Sequence, residues 1–184
     1  MPRKNTSDLN EIETRIQKAC DIAEKKRSEV ELIAVSKRQE PQRVQAVLDS
    51  GIRCFGENQV QEALTRWLPL KTIYSDITLH LIGALQSNKA ADAVRLFDVI
   101  HTIDRDKIAK TLSNEMQKQN KNLSCFIQVN TGLEPQKAGI EPKQAVEFAR
   151  CCIYDYGLSV SGFMCIPPID DDVSPHFAFL SHLA

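Results

Sequence analysis

Lys37 stands where a side chain could carry chemistry. Four consecutive apolar residues, Leu32 to Val35, precede Ser36-Lys37 and predict a buried parallel strand. Pro41 then opens a helical pattern that ends at Gly51. Lys37 is therefore expected on the turn between a strand and its crossover helix, the edge at which parallel α/β folds bind ligands. Apolar walls there would favour the neutral, nucleophilic amine, whereas the plainer interpretation is a strand-end lysine that reaches into water.

Other polar residues follow the remaining predicted strands, and in a barrel these strand ends converge on one mouth. A single lysine in such a mouth, without paired carboxylates or a His/Cys metal set, indicates capture of a carbonyl group as an imine. Pyridoxal phosphate is the commonest partner of such a lysine. The polar strand-end residues are Glu57, Asn58, Gln86 to Lys89, Asp104, Arg105, Asn130 and Met164 to Pro168.

Several of these residues also have structural interpretations, which the sequence leaves open. Asn58 with Gln61 is close to the spacing of a helix capping box. His80, within Thr-Leu-His-Leu-Ile, fits a hydrogen-bonded core histidine, and His101 is a weaker candidate ligand. Asn130 and Lys137 lie in a turn rich in Gly and Pro that is expected to be exposed.

The elements that must position these side chains alternate regularly. An amphipathic helix is predicted over residues 8–27, followed by six strand–helix units, the last with Ser174 as its N-cap. Such alternation predicts a parallel sheet, in either a doubly wound or a (β/α) barrel arrangement. The glycine-rich dinucleotide fingerprint and the P-loop are both absent, which disfavours nucleotide binding. The predicted strands are residues 32–35, 52–55, 79–82, 99–103, 123–129 and 158–166.

The amino-acid composition disfavours several classes of protein. The 184 residues include 23 Lys+Arg and 24 Asp+Glu, a net charge of −1, and no basic run predicts nucleic-acid binding. The six cysteines have no zinc spacing and no C-x-x-C motif, which fits a reducing cytosol. No stretch of about 18 apolar residues predicts a membrane span, and the N-terminus lacks the apolar core of a signal peptide.

The length raises a question about the barrel. Six units fall two short of a closed (β/α)8 barrel, which takes about 250 residues and rarely fewer than 200. The last predicted helix has no C-cap and stops at Ala184. We therefore expect residues 1–184 to form a single barrel domain that is incomplete at its C-terminus.

Seven motifs, in order along nearly the whole chain after the first helix, resemble those of one family. Taken together they are specific, although each alone is weak. The family is the pyridoxal phosphate homeostasis proteins, small single-domain relatives of the alanine racemase barrel. The motifs are AVSK at 34–37, FGENQVQE at 55–62, HLIGALQSNK at 80–89, HTID at 101–104, IQVN at 127–130, KAGI at 137–140 and GFMCIP at 162–167.

The resemblance implies a fold, a cofactor and a role. The fold would be an α/β (β/α)8 barrel of the TIM type with an extra N-terminal helix. Pyridoxal 5′-phosphate would be held as a Schiff base on Lys37, with Asn58, His80 and Met164 near the cofactor ring. The protein would be a cytoplasmic, monomeric carrier in vitamin B6 homeostasis rather than an enzyme, with no nucleic acid or membrane as partner.

The chain departs from the family at its end. The family's C-terminal serine-containing loop and Arg-Gly segment have no counterpart, and phosphate is usually cradled in that part of such barrels. We therefore expect the 184 residues alone to bind the cofactor weakly. Two alternatives remain: an inert fragment, or a racemase-like enzyme on the same barrel. The enzyme would need a second acid/base group, and Tyr74, Tyr154 and Tyr156 are all predicted at the opposite end from Lys37.

Overall fold

The computed structural model describes the backbone of residues 4–184 and the side chains of residues 8–184. The chain forms two compact units, Met1–Gly56 and Glu57–Ala184. Both units alternate helices with strands that pair in parallel, as the sequence predicts. Over the described residues, no helix combines the length and the apolar character needed to cross a membrane.

The described residues of the first unit form two α-helices, a short 3-10 helix (Arg27–Glu29) and a parallel strand pair. Ala34 lies opposite Phe55, and Val35 lies opposite Gly56. Val44 and Leu48 of the second helix are buried, as is Phe55, so the core of this unit lies between that helix and the strands. Its elements are α1 (Lys4–Ile22), β1 (Ala34–Val35), α2 (Pro41–Asp49) and β2 (Cys54–Glu57), of which Glu57 already belongs to the second unit.

The prediction of a buried strand over Leu32 to Val35 is wrong in extent and in burial. Only Ala34 and Val35 form a strand, and Val35 is 46% exposed. The physical reason lies beside the strand, where a cavity of about 390 Å³ is lined by apolar residues of α1, β1 and α2. Because β1 borders this cavity, the apolar residues Leu32 to Val35 are only partly buried within the described residues of the unit. Residues that line the cavity include Leu9, Ile12, Ile33, Val35, Val47 and Phe55.

The leading helix is present but ends earlier than the predicted residue 27. Glu24 adopts a positive φ of 53°, and the amide of Lys25 donates to the carbonyl of Cys20 at 2.9 Å. Together with the bond from the Glu24 amide to Asp21 at 3.3 Å, this geometry is a Schellman motif. Such motifs usually carry glycine at the left-handed position, so a glutamate there gave no stop signal.

The second unit carries four parallel strands that neighbour one another in chain order, β3 to β6. The short 3-10 helices Ser87–Lys89 and Pro142–Gln144 lead into two of its helices. Predicted and observed strands agree within a few residues, since strand ends fray and are set by hydrogen bonding. The elements are α3 (Val60–Ile73), β3 (Thr78–Leu81), α4 (Ala90–Leu96), β4 (Val99–Ile103), α5 (Asp106–Lys118), β5 (Ser124–Gln128), α6 (Ala145–Tyr154), β6 (Ser159–Met164) and α7 (Val173–Leu183).

The two faces of β3 to β5 differ in burial. Alternate residues of a strand point to opposite sides of the sheet. One side consists of apolar residues with no exposed surface, and in an α/β layer this side is the one that helices cover. These residues are Leu79, Leu81, Ile100, Cys125 and Ile127, together with Ile103, which a register shift in β4 brings opposite Ile127.

The start of α7 corrects a prediction. The N-cap is Asp172, not Ser174, because the Asp172 carboxylate accepts a hydrogen bond from the Ser174 amide at 3.0 Å. That hydrogen bond lowers the pKa of Asp172 from its ordinary value. Aspartate and serine are both good N-caps, so the sequence alone did not distinguish these neighbouring positions.

Shortening a side chain on the buried face tests this layer. Ile127→Ala should lower the free energy of unfolding by about 3 kcal/mol, because it leaves a cavity that the neighbouring strands cannot fill. Ile153→Ala, at a residue of α6 that is 41% exposed, is the matched control and should cost clearly less. Urea denaturation measures both, and equal losses would contradict the placement of Ile127 in the core.

Candidate functional site

Lys37 lies on a tight turn that directly follows β1. The buried Ser36 donates its amide to Gly56 at 3.0 Å, and Gln39 donates to the Ser36 carbonyl at 3.1 Å. Arg38 takes a positive φ of 56°, the conformation of the third residue of a type II turn. The predicted position of Lys37, between a parallel strand and its helix, is therefore confirmed.

The environment of Lys37 differs from the apolar surroundings that the sequence suggested. Its side chain is exposed. Among the residues that the structure describes, no hydrogen bond or ion pair engages its amine, although Ser36, Arg38 and Gln39 all have partners. The turn backbone is thus held in place while the amine stays accessible, an arrangement that suits reaction with a small-molecule carbonyl.

Asn58 occupies the turn between β2 and α3 and is half-buried. The capping interpretation is wrong, since α3 begins at Val60 and its N-cap position is Gln59. The backbone of Asn58 packs against Gly83, where an added Cβ would lie 2.2 Å from the Asn58 carbonyl oxygen. Only glycine allows the two backbones to approach so closely, which fixes the turn that presents Asn58.

His80 is buried and bonded to a second histidine. The distance from its Nδ1 to Nε2 of His101 is 2.9 Å, and His101 stacks on Phe126 with ring centroids 4.7 Å apart. One ring nitrogen of the pair must donate and the other accept, so the bond ties the tautomers of the two rings together. The interpretation of His80 as a hydrogen-bonded core histidine therefore holds.

Strand register places Met164 on the face that carries this ring stack. Phe126 is paired with Gly162, and Gln128 with Met164, so the side chains of these pairs point to the same side of the sheet. This face runs from His80 on β3 to Met164 on β6. His101, Phe126 and Gln128 were not selected as site residues from the sequence, although the period-2 spacing of Phe126 and Gln128 is a signal for a shared face.

The loop after β5 is ordered rather than simply exposed. The Asn130 side chain donates to the Glu134 carbonyl at 2.8 Å and accepts from the Glu134 amide at 3.1 Å. Lys137 forms an ion pair with Glu134 at 2.6 Å and donates to the Pro167 carbonyl at 3.2 Å. The Lys137 amine is thus already engaged, which sets it apart from Lys37.

Further bonds join consecutive loops at the carboxyl ends of the strands in the second unit. Arg105 donates to the Leu85 carbonyl at 3.0 Å, and Asp104 accepts from the Gly139 amide at 3.4 Å. Gly139 has a φ of +120°, and a Cβ there would lie 2.6 Å from the Asn130 amide nitrogen. The loops after β3, β4 and β5 are therefore fixed to one another.

The three tyrosines lie at helix ends or pack along a helix. Tyr74 follows the last residue of α3, and Tyr154 ends α6. Tyr156 packs along α5, with its hydroxyl donating to Asp106 at 3.0 Å and Lys110 lying 5.4 Å from its ring centroid. Its hydrogen bond with Cys151, then desolvation and Asp106, raise the pKa of Tyr156 above its ordinary value.

The cysteines are all free thiols and are held in the protonated form where the pKa is shifted. Burial raises the pKa of Cys125 to about 12, and burial is also the main cause that raises that of Cys152 to about 12. Cys165 directly follows Met164, and burial raises its pKa as well. None of these three is an effective base or nucleophile at neutral pH.

Comparison with known proteins identifies similar sequences over almost the whole chain. The family model described as "Alanine racemase, N-terminal domain" matches residues 7–182. A protein of Vibrio cholerae named pyridoxal phosphate homeostasis protein is 35% identical over 184 residues, which cover 99% of this chain and 78% of that protein.

Solved structures give a consistent result. PipY of Synechococcus elongatus, solved with PLP bound, is 29% identical, with a TM-score of 0.75 over 91% of this chain and 81% of PipY. An unknown protein from Bifidobacterium adolescentis reaches a TM-score of 0.91 at 25% identity, over 99% of this chain and 78% of its own. These matches confirm the barrel-type α/β fold that the family resemblance implied.

The contact between Gly83 and Asn58 can be tested directly. Gly83→Ala should lower the free energy of unfolding by about 2 kcal/mol, since the new methyl group meets backbone atoms that cannot yield without moving the Asn58 turn. Gly157→Ala is the control, because no atom lies within 4 Å of its added Cβ and only its backbone conformation is strained. Amide exchange should rise in Gly83→Ala alone at Ile82, whose amide donates to Glu57 beside this turn; unchanged exchange there would contradict the close approach.

Proposed function

The chain belongs to the alanine racemase N-terminal domain family, among the pyridoxal phosphate homeostasis proteins, and on this premise we propose that it is a non-catalytic carrier of pyridoxal 5′-phosphate. The observation that carries the proposal is the accessible amine of Lys37 on an ordered turn after a parallel strand. The cofactor's aldehyde is the group that a lysine amine captures.

The residues present fit such a cofactor. Lys37 provides an amine that no other described residue engages, whereas Lys137 is bound to Glu134 and Pro167. In the second unit, the face that carries His80 and Met164 combines hydrogen-bonding and apolar side chains, as small-molecule sites do. Asn58 would supply an amide hydrogen bond from the turn that Gly83 holds in place.

A carrier role is favoured over catalysis by the state of the candidate bases. Racemase-like chemistry needs a group that takes a proton opposite the lysine. Tyr156 and Cys165 both have pKa values raised above the ordinary range, so both stay protonated at neutral pH. The Tyr156 hydroxyl is moreover bonded to Asp106, the first residue of α5. This combination supports binding and orientation without turnover.

The setting of the protein is part of the proposal. Six free thiols, four of them with raised pKa values, are suited to a reducing compartment such as the cytosol. The near-neutral net charge gives no indication of nucleic acid as a partner. We propose that the carrier acts there as a monomer.

Replacing the proposed attachment residue is the direct experiment. The parent protein, mixed with pyridoxal 5′-phosphate, should develop the absorption band of the lysine-bound cofactor, and borohydride reduction should fix the label on Lys37. Lys37→Ala should lose the band and the label. Lys118→Ala is the matched control, because Lys118 is an exposed lysine at the end of α5 and should bind as the parent does.

Two results would contradict this assignment. A label spread over several lysines, unchanged in Lys37→Ala, would mean that the protein reacts with the cofactor only as a generic amine. A parent protein that shows no band and melts without cooperativity would favour the inert fragment.

The carrier and the enzyme differ in a second measurable property. A racemase exchanges the α-proton of its amino-acid substrate with solvent, and the carrier should not. Incubating the cofactor-loaded protein with alanine in D₂O should give no deuterium at the α-carbon above a control with free cofactor. Exchange that depends on Lys37 would overturn the non-catalytic proposal.

A further inference from the structure

Glu57, the last residue of β2, has a carboxylate that is entirely buried. Its Oε1 accepts from Nη1 of Arg66 at 2.6 Å and from the indole Nε1 of Trp67 at 3.0 Å. Both donors lie on α3, which starts just after the turn that contains Asn58. Two side chains of α3 therefore hold Glu57, the residue that immediately precedes this turn.

The backbone of Glu57 is held from another direction. Its carbonyl oxygen accepts from the amide of Ile82, at the end of β3, at 2.9 Å. The next residue, Asn58, packs against Gly83 with no room for a side chain between the backbones. The turn is thus fixed by α3 through the Glu57 side chain and by the end of β3 through main-chain contacts.

The ion pair between Glu57 and Arg66 fixes a side-chain geometry. A buried pair is weak evidence for stability, because apolar residues of similar volume often serve equally well, but removing one partner leaves an uncompensated charge. A carboxylate with two directed donors does fix one geometry, which apolar packing does not. This fixed geometry is found at Glu57, the residue next to Asn58.

We infer that Glu57 is a positioning residue for Asn58: its carboxylate, clamped by Arg66 and Trp67, sets the turn that presents the Asn58 amide to the ligand. This inference rests on the proposed cofactor-binding function. Glu57 itself is not expected to contact the ligand, because its carboxylate is entirely buried and bonded to two side chains of α3.

Glu57→Gln is the informative variant, since it keeps the shape and an acceptor for Trp67 while removing the charge that faces Arg66. Glu62→Gln is the matched control, because Glu62 pairs with the same guanidinium at 3.2 Å from a partly exposed position. Glu57→Gln should weaken cofactor binding by roughly tenfold, within the range of coupling inside one network. Glu62→Gln should leave binding unchanged.

A double-mutant cycle separates positioning from general stabilisation. If Glu57 acts through Asn58, Glu57→Gln should have no further effect on binding in an Asn58→Ala background. Additive losses, or binding by Glu57→Gln equal to the parent, would overturn the inference. If Glu57→Gln does not fold, Arg66→Lys replaces it in the cycle, because it keeps the charge but loses the guanidinium fork.

A measurement without cofactor keeps this inference distinct from the proposed function. In the free protein, amide exchange at Ile82, whose hydrogen bond ends on Glu57, should be faster in Glu57→Gln than in the parent or in Glu62→Gln. Unchanged exchange at Ile82 would overturn the clamp even if the parent binds the cofactor. A parent that binds no cofactor would refute the proposed function, and the exchange data would still decide whether Glu57 orders the turn.

Discussion

The separation of the two faces of the parallel strands is the constraint on which the second unit depends. Side chains alternate along a strand, so the residues that pack under helices cannot also line a site. Leu79, Ile100 and Ile127 occupy the packed face and have no exposed surface. The opposite face is thereby free to carry His101 and Phe126 in a ring stack. Packing and chemistry are kept apart by the geometry of the strand itself.

At the strand ends, the backbone of the turns is fixed, whereas one reactive side chain is accessible. Main-chain bonds hold the turns, as the Ser36 amide does for Lys37 and the glycine contact does for Asn58. The Lys37 amine remains accessible, whereas Lys137 is paired with Glu134. A carrier needs this combination, because a preorganised backbone lowers the entropy cost of binding while the reactive group stays open to the ligand.

The proposed binding without turnover depends on the protonation of the candidate acid/base side chains. Capture of an aldehyde needs an amine, whereas racemisation also needs a base with a pKa near the working pH. Burial raises the pKa of Cys165, and the hydrogen bond with Cys151, desolvation and Asp106 raise the pKa of Tyr156. The family fold supports several chemistries, so the proposed carrier role depends on this local difference rather than on the fold.

The sequence by itself determined the alternation of strands and helices, the parallel class and the place of Lys37, because these follow from local hydrophobic period and from proline and glycine signals. It did not determine that β1 is only partly enclosed, that Glu24 ends α1, or that Asp172 caps α7. Each of these features depends on which groups meet in three dimensions. The bond between His80 and His101 joins residues 21 positions apart, and the clamp on Glu57 requires α3 to fold back on the strand before it. Only the tertiary structure decided these contacts, because register and helix placement, not spacing along the chain, bring their atoms within bonding distance.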